Sequence, residues 1–241
     1  MGRKVDIIYE DDQLIAVCKP AGVLTIPDRF RDDIPNVKDQ LLKLHDEVFT
    51  VHRLDKFTSG VVLFAKDAAS HAHLSQQWMD RTPEKYYIAV VDGVPALESG
   101  QVDLPLAESM TRRGKMVVNP RGKESVTLFK ITESYERYSL LYLKILTGRM
   151  HQIRVHMAEM GHPLIVDELY GRRTEFFLSE LKGRKYKIAK YEEERPLLTR
   201  QPLHAAKLVV THPVTDERVE IEAPLPKDMR AIINQLRKSQ R

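Results

Sequence analysis

The residue best placed to do chemistry is Asp55. It lies in Val51-His52-Arg53-Leu54-Asp55-Lys56-Phe57-Thr58-Ser59-Gly60, close behind an arginine and just ahead of a Thr-Ser-Gly turn. A strand-like apolar run, Val61-Val62-Leu63-Phe64-Ala65-Lys66, follows. A carboxylate on such a turn is displayed at a sheet edge and can be held by nearby backbone N–H groups. It can act as a nucleophile or as the base that draws off a proton. An aspartate, with an ordinary pKa of ~3.9, is already ionised at neutral pH and needs positioning more than activation.

Two later stretches carry further candidates. Lys85-Tyr86-Tyr87-Ile88-Ala89-Val90-Val91-Asp92-Gly93 holds adjacent tyrosines, and Thr147-Gly148-Arg149-Met150-His151-Gln152-Ile153-Arg154-Val155-His156 holds two arginines and two histidines. On a strand Tyr87, Ala89 and Val91 share one face and Tyr86, Ile88 and Val90 the other, so one tyrosine can face a cleft while its neighbour packs. His151, His156 and His162 raise the question of a metal. His151 and His156, however, stand five residues apart, roughly 140° around a helix, where a zinc pair wants a spacing of four. Loop-orienting hydrogen bonds or phosphate contacts are expected of them, and no metal.

Short elements must position these residues. Val5 to Tyr9 and Leu14 to Cys18 read as strands around the turn Glu10-Asp11-Asp12, and Lys19-Pro20-Ala21-Gly22 closes the second. Val37 to His45 has helical spacing, with Leu41, Leu42 and Leu44 as its core face. Ala68 to Asp80 reads as a helix entered at Asp67 and ended before Pro83. Tyr86 to Val91 is a strand, and Ser125 to Thr132 with Tyr138 to Leu146 an antiparallel pair. Gln152 to Met160 is a short helix. Strands near Leu208 to Val210 and Val219 to Ile221 and an amphipathic helix from Asp228 to Arg237 complete the chain. The pattern predicts a single α+β domain over 1–241 with a mixed, largely antiparallel sheet.

The 241 residues carry a formal charge of +4, weak evidence by itself for a nucleic-acid partner. The distribution says more: five Lys or Arg and no acid between Arg112 and Lys123, and seven between Gly171 and Lys190 against two acids. Two such runs beside a catalytic-looking turn fit a phosphate-binding surface. Cys18, the single cysteine, excludes an internal disulfide and a cysteine-rich metal site, and is expected to be buried on its strand. The apolar run from Leu140 to Leu146 is too short to span a bilayer, and the N-terminus lacks the apolar segment of a signal peptide. A cytoplasmic protein without a membrane partner is expected.

The stretch His-Arg-Leu-Asp-x-x-Thr-Ser-Gly at 52–60 resembles the active-site motif of the RluA-type pseudouridine synthases. Lys85 to Gly93 is similar to that family's Lys-x-Tyr-x-Ala-x-Val-x-Gly, with its tyrosine at Tyr87. Thr147 to His156 resembles Thr-Gly-Arg-x-His-Gln-Ile/Leu-Arg-x-His, and Gly161-His162-Pro163-Leu164, Asp167 and Tyr170-Gly171 continue the pattern. Val166 stands where a small residue is usual. Leu203-His204-Ala205-Ala206-Lys207-Leu208 and His212-Pro213 also fit, so the resemblance runs from Tyr9 to about Pro226.

The resemblance implies the pseudouridine-synthase core, with flanking helices and a central RNA-binding cleft, and isomerisation of uridine to pseudouridine in ribosomal or transfer RNA. The glycosidic bond to N1 is broken, the base turns, and a bond to C5 is made. No redox step occurs and no group is lost, so no cofactor is expected. Asp55 would be the catalytic residue, and Arg154 its partner, since an arginine fork holds a carboxylate through two parallel hydrogen bonds. Tyr87 would line the base pocket, with Leu203 packed beneath the uracil. A stacked uridine must be flipped out, most cheaply from a loop, and Arg53 would fill the space left behind. His52 and Thr58 join it as substrate-binding residues, and Arg149 with the basic runs would bind phosphates. Because the pattern begins at about Val5, a member without the small front RNA-binding domain is implied. Recognition then falls to the core's loops, above all the segment at about 172–200, read as a mobile or RNA-ordered insertion or else as plain surface helix. A monomer is expected.

Two other readings compete. A catalytically dead RNA-binding module of the same fold predicts a broken first motif, whereas Asp55, Tyr87 and Arg154 are all in place. A metal-dependent nuclease would want clustered carboxylates at motif spacing, and the chain has none.

Overall fold

The computed structural model describes residues 5–31, 33–183, 186 and 193–240. Part of the 172–200 insertion, including Glu192 and the end of the second basic run, lies outside the described residues. In chain order the elements begin β1 (Asp6–Glu10), β2 (Leu14–Lys19), α1 (Val37–Leu41), β3 (Phe49–Thr50), β4 (Ser59–Ala65) and α2 (Ala68–Asp80). Then come β5 (Glu84–Asp92), β6 (Ser99–Asp103), β7 (Leu106–Glu108), β8 (Met116–Val118), β9 (Val126–Ser134) and β10 (Tyr138–Ile145). The remainder is α3 (Gln152–Glu159), α4 (Leu178–Lys182), β11 (Leu203–Thr211), β12 (Arg218–Glu222) and α5 (Lys227–Ser239). The fold is α+β, and the chain divides into two compact units, Met1–Tyr87 with His204–Pro224 and Ile88–Leu203 with Leu225–Arg241.

In the first unit β2 pairs antiparallel with β1 and β4, β12 antiparallel with β11, and β4 parallel with β11. That one parallel pairing makes the sheet mixed. Leu14-Ile15-Ala16-Val17 and all of β4 are buried on both faces, which is why these strands read as continuous apolar runs and not as alternations. On one face Leu14, Ala16, Val61, Leu63 and Ala65 pack with Leu74 of α2 and with Leu208, Val210 and Ile221 into a core. Asp67 caps α2, accepting from the Ser70 N–H, as its sequence position predicts. Helix α1 ends earlier than its spacing suggests. Leu41 is buried, but Leu44 is 65% exposed and Leu42 also faces out, so the three leucines do not share one core face. Cys18 is half-buried.

Glycine is required at position 60. The backbones of β4 and β11 cross there, Gly60 has φ +118°, and a Cβ would stand 2.1 Å from the Ala205 carbonyl oxygen. Next to it the His204 ring bridges Ser59 Oγ (3.0 Å) and the Ala223 carbonyl (3.1 Å), fastening the parallel pair. His52 performs a similar task between β4 and α2: Nε2 accepts the Leu63 N–H (3.0 Å) and the ring stacks on Trp78.

In the second unit β9 pairs antiparallel with both β10 and β6, and β7 with β8 forms a separate hairpin. The hairpin accounts for the first basic run, whose charges are its loop and flanks. The core packs β10 against α5 and against Phe176 and Leu198. These two, one near each end of the 172–200 insertion, are bridged backbone to backbone, Phe176 N–H donating to Leu198 O (2.8 Å). The base of the insertion is therefore packed into the core. No helix among the described residues is long and apolar enough to cross a membrane.

Two predictions follow from these contacts. Gly60→Ala should destabilise the protein by roughly 3 kcal/mol or more, read from urea unfolding; an unchanged midpoint would refute the crossing. Burial, with the nearby Lys85 charge, pushes the His52 imidazole down to about 3, and burial lowers that of His156. The native state then binds fewer protons than the unfolded chain below pH ~6.5, so stability is complete above that value and declines as pH falls toward 3. Urea midpoints between pH 7 and 4 should fall, with a shallower slope in His52→Gln.

Candidate active site

Asp55 occupies a tight turn closed by the Thr58 N–H donating to the Asp55 carbonyl (3.1 Å). The turn is clamped from several directions. Leu54 N–H donates to Thr25 Oγ1 (3.1 Å), whose hydroxyl lies 3.3 Å from the Leu54 carbonyl. The Lys56 carbonyl accepts from Gly22 N–H (2.8 Å) and from Lys19 Nζ (3.1 Å). Lys19 is completely buried, and its ammonium also donates to the carbonyls of Val23 (2.8 Å) and Pro20 (3.2 Å). A buried ammonium is tolerated only where such acceptors replace water. The loop 20–25 and the Asp55 turn are thereby one rigid piece.

Tyr87 belongs to the same unit. It is buried, and burial followed by the Asp55 carboxylate pushes its phenol well above the ordinary tyrosine range. The two side chains are thus close enough to interact electrostatically, and Tyr87 stays protonated over any working pH. Tyr86, on the opposite face, bonds to Glu84 and lies beside Lys207, a packing role. Of the other first-motif residues, Arg53 is exposed, whereas Thr58 is buried with its N–H closing the turn and His52 is held between β4 and α2.

The third block builds the second unit's polar centre. Arg154, on α3, is buried and forks onto Asp167 through Nε (2.6 Å) and Nη2 (2.8 Å). Asp167 Oδ1 also accepts the N–H groups of Leu169 and Tyr170, and the Tyr170 ring lies 5.0 Å from the Arg154 guanidinium. A guanidinium has five donors, of which Asp167 takes two. Tyr170 Oη accepts the Met116 N–H (2.7 Å) and pairs with His151 Nδ1 (2.9 Å). His151 starts α3 in the left-handed region, φ 55°, a conformation kept by these surroundings.

Behind α3 a buried chain of hydrogen bonds fixes its register. Thr147 donates to Gln152 Oε1 (2.7 Å), and Gln152 Nε2 donates to Thr127 Oγ1 and the Val126 carbonyl (both 3.0 Å). Thr127 in turn donates to His156 Nδ1 (2.9 Å), whose Nε2–H reaches the Leu104 carbonyl (3.0 Å). The lowered pKa of His156 fits this neutral tautomer. Arg149 is half-buried, its Nε on the Glu124 carbonyl (3.1 Å), and Leu203 is buried at the first position of β11. Arg112 and Arg113 are exposed in the β7–β8 loop.

Sequence reasoning named Asp167 and Tyr170 only as parts of a pattern and Lys19 only as turn chemistry. The Asp-x-x-Tyr-Gly order was a usable signal for the first two. A lysine ending an apolar run carries none. Among the described residues no group of three His, Cys, Asp or Glu stands where it could hold a metal ion.

Comparison with known proteins identifies the family. Residues 13–159 match the family model described as RNA pseudouridylate synthase. The chain is 36% identical to an RNA pseudouridine synthase of Bacillus subtilis, covering 94% of this chain and 70% of that one. It is 35% identical to the ribosomal large subunit pseudouridine synthase D of Haemophilus ducreyi, covering 97% and 71%. Among solved structures, the human RNA pseudouridylate synthase domain containing 4 superposes with a TM-score of 0.74 at 25% identity, covering 96% of this chain and 93% of that one. With the family model spanning more than half of its length, the chain belongs to the RNA pseudouridylate synthases, isomerases that convert uridine to pseudouridine in RNA.

Proposed function

We propose that Asp55 is the catalytic carboxylate of this synthase and that Tyr87 and Arg154 complete its catalytic set, in one catalytic domain over 1–241. The observation that carries the reading is the Asp55 turn itself, fixed by Lys19, Gly22 and Thr25 with the Tyr87 phenol within electrostatic reach. Catalysis by a group that is already ionised depends on placement, and rigid placement is what those contacts supply. Tyr87, kept protonated, offers a neutral ring to the uracil. Arg154 acts as a fixed cation because Asp167 holds its guanidinium in one orientation.

The RNA we assign is structured ribosomal RNA of the large subunit, with transfer RNA as the second candidate. The names of relatives such as the Haemophilus enzyme support the first. Arg53 contacts the RNA where the flipped base leaves the stack, and Leu203 packs beneath the uracil. Arg149, Arg112 and Arg113 bind phosphates, giving affinity that falls with salt. His52 and Thr58 act through the turn and strand they hold. The protein works as a cytoplasmic monomer without metal or cofactor.

Tritium release from RNA labelled at uridine C5 tests the assignment. Wild type should release label from large-subunit ribosomal RNA transcripts and Asp55→Ala should release none; a mutant as fast as wild type would remove Asp55 from the mechanism. Release from transfer RNA alone would reverse the order of substrates. Asp167→Asn should lower turnover by about 10²-fold, the scale expected of a misplaced group, while RNA affinity changes little. Losing the buried pair also costs about 3–5 kcal/mol, so turnover is compared where urea curves show both proteins folded. Unchanged turnover would show that Arg154 needs no such support.

A further inference from the structure

Phe57 is a large apolar residue left partly open to solvent beside Asp55. It stands with Lys56 at the corner of the Asp55–Thr58 turn, where small or polar residues usually sit. Leu54 and Thr58, the residues flanking this stretch, are 9% and 2% exposed, yet Phe57 is 43% exposed. Its mount is rigid, since the Lys56 carbonyl is bonded by both Gly22 and Lys19. A cation accompanies it: Lys56 Nζ lies 5.5 Å from the ring centroid.

A partly exposed aromatic residue beside a lysine ammonium, two residues from the proposed catalytic carboxylate, has the chemistry of a base-stacking platform. We propose that Phe57 stacks on an unpaired nucleobase adjoining the target uridine, and so makes the flanking nucleotide part of what the enzyme recognises. The proposal rests on Asp55 being the catalytic residue. Every base presents a π-face, so the ring selects an unstacked, accessible neighbour more than a particular letter, and it favours targets in loops. Because the turn is already fixed, little freedom is lost when the base settles on it. Lys56 would sit near the phosphate between the two nucleotides, adding charge to the contact.

A cycle between protein and RNA tests this, using the RNA that wild type modifies in the tritium assay. Phe57→Ala should raise KM about 10-fold with kcat nearly unchanged. Replacing one nucleotide flanking the target uridine, 5′ or 3′, by an abasic one should raise the KM of wild type by a similar factor. The two changes together should cost no more than either alone, because each removes the same contact. Phe57→Tyr should keep the wild-type KM and Phe57→Leu should not, since leucine covers apolar surface without stacking. Multiplying losses at both flanks, or rescue by leucine, would overturn the platform while Asp55-dependent tritium release left the catalytic assignment standing. Release that did not depend on Asp55 would instead remove the assignment itself.

Discussion

The buried ammonium of Lys19 is the constraint on which the first unit's site depends. A charge with no water around it must be surrounded by acceptors, and the chain supplies the carbonyls of Pro20, Val23 and Lys56. Two of these belong to the loop after β2 and one to the Asp55 turn, 37 residues further on. Satisfying the charge and positioning the carboxylate are therefore the same event. Thr25 repeats the device with a neutral group, bonding to Leu54 on the near side of Asp55. A turn held on both sides cannot relax without leaving a buried polar group unpaired, which gives it a stiffness that loop sequence alone would not.

The second unit uses the same principle with more partners. Arg154 could not be buried without Asp167, and Asp167 is itself oriented by two backbone N–H groups in the turn that leads to Tyr170. Tyr170 joins this centre to the β7–β8 hairpin through the Met116 N–H. Gly171 is needed because the chain doubles back onto Asp167, where a Cβ would meet its backbone at 2.7 Å. The chain of hydrogen bonds from Thr147 to Leu104 then sets where α3 lies against β9. Side chains that read in the sequence as chemistry are, in large part, the scaffold for one arginine.

The sequence by itself determined the longer strands and helices, the α+β class and the three motif blocks. Those signals are local: a cap at Asp67, apolar runs at β2 and β4, turn residues at 20–22 and 58–60. It also made Asp55 and the Tyr86–Tyr87 pair visible, because residue type and period-2 spacing are properties of short stretches, while the choice of Tyr87 came from the family resemblance. Strands β3, β6, β7 and β8, helix α4 and the early end of α1 were not legible, since short elements and the outward turn of Leu42 and Leu44 are decided by what lies beside them. Only the tertiary structure decided which polar groups are buried together. Lys19 with Lys56, Ser59 with His204 and Arg154 with Asp167 are pairs separated by 37, 145 and 13 residues. Their cost or benefit depends on exclusion of water, and water is excluded only once the strands that carry them have packed.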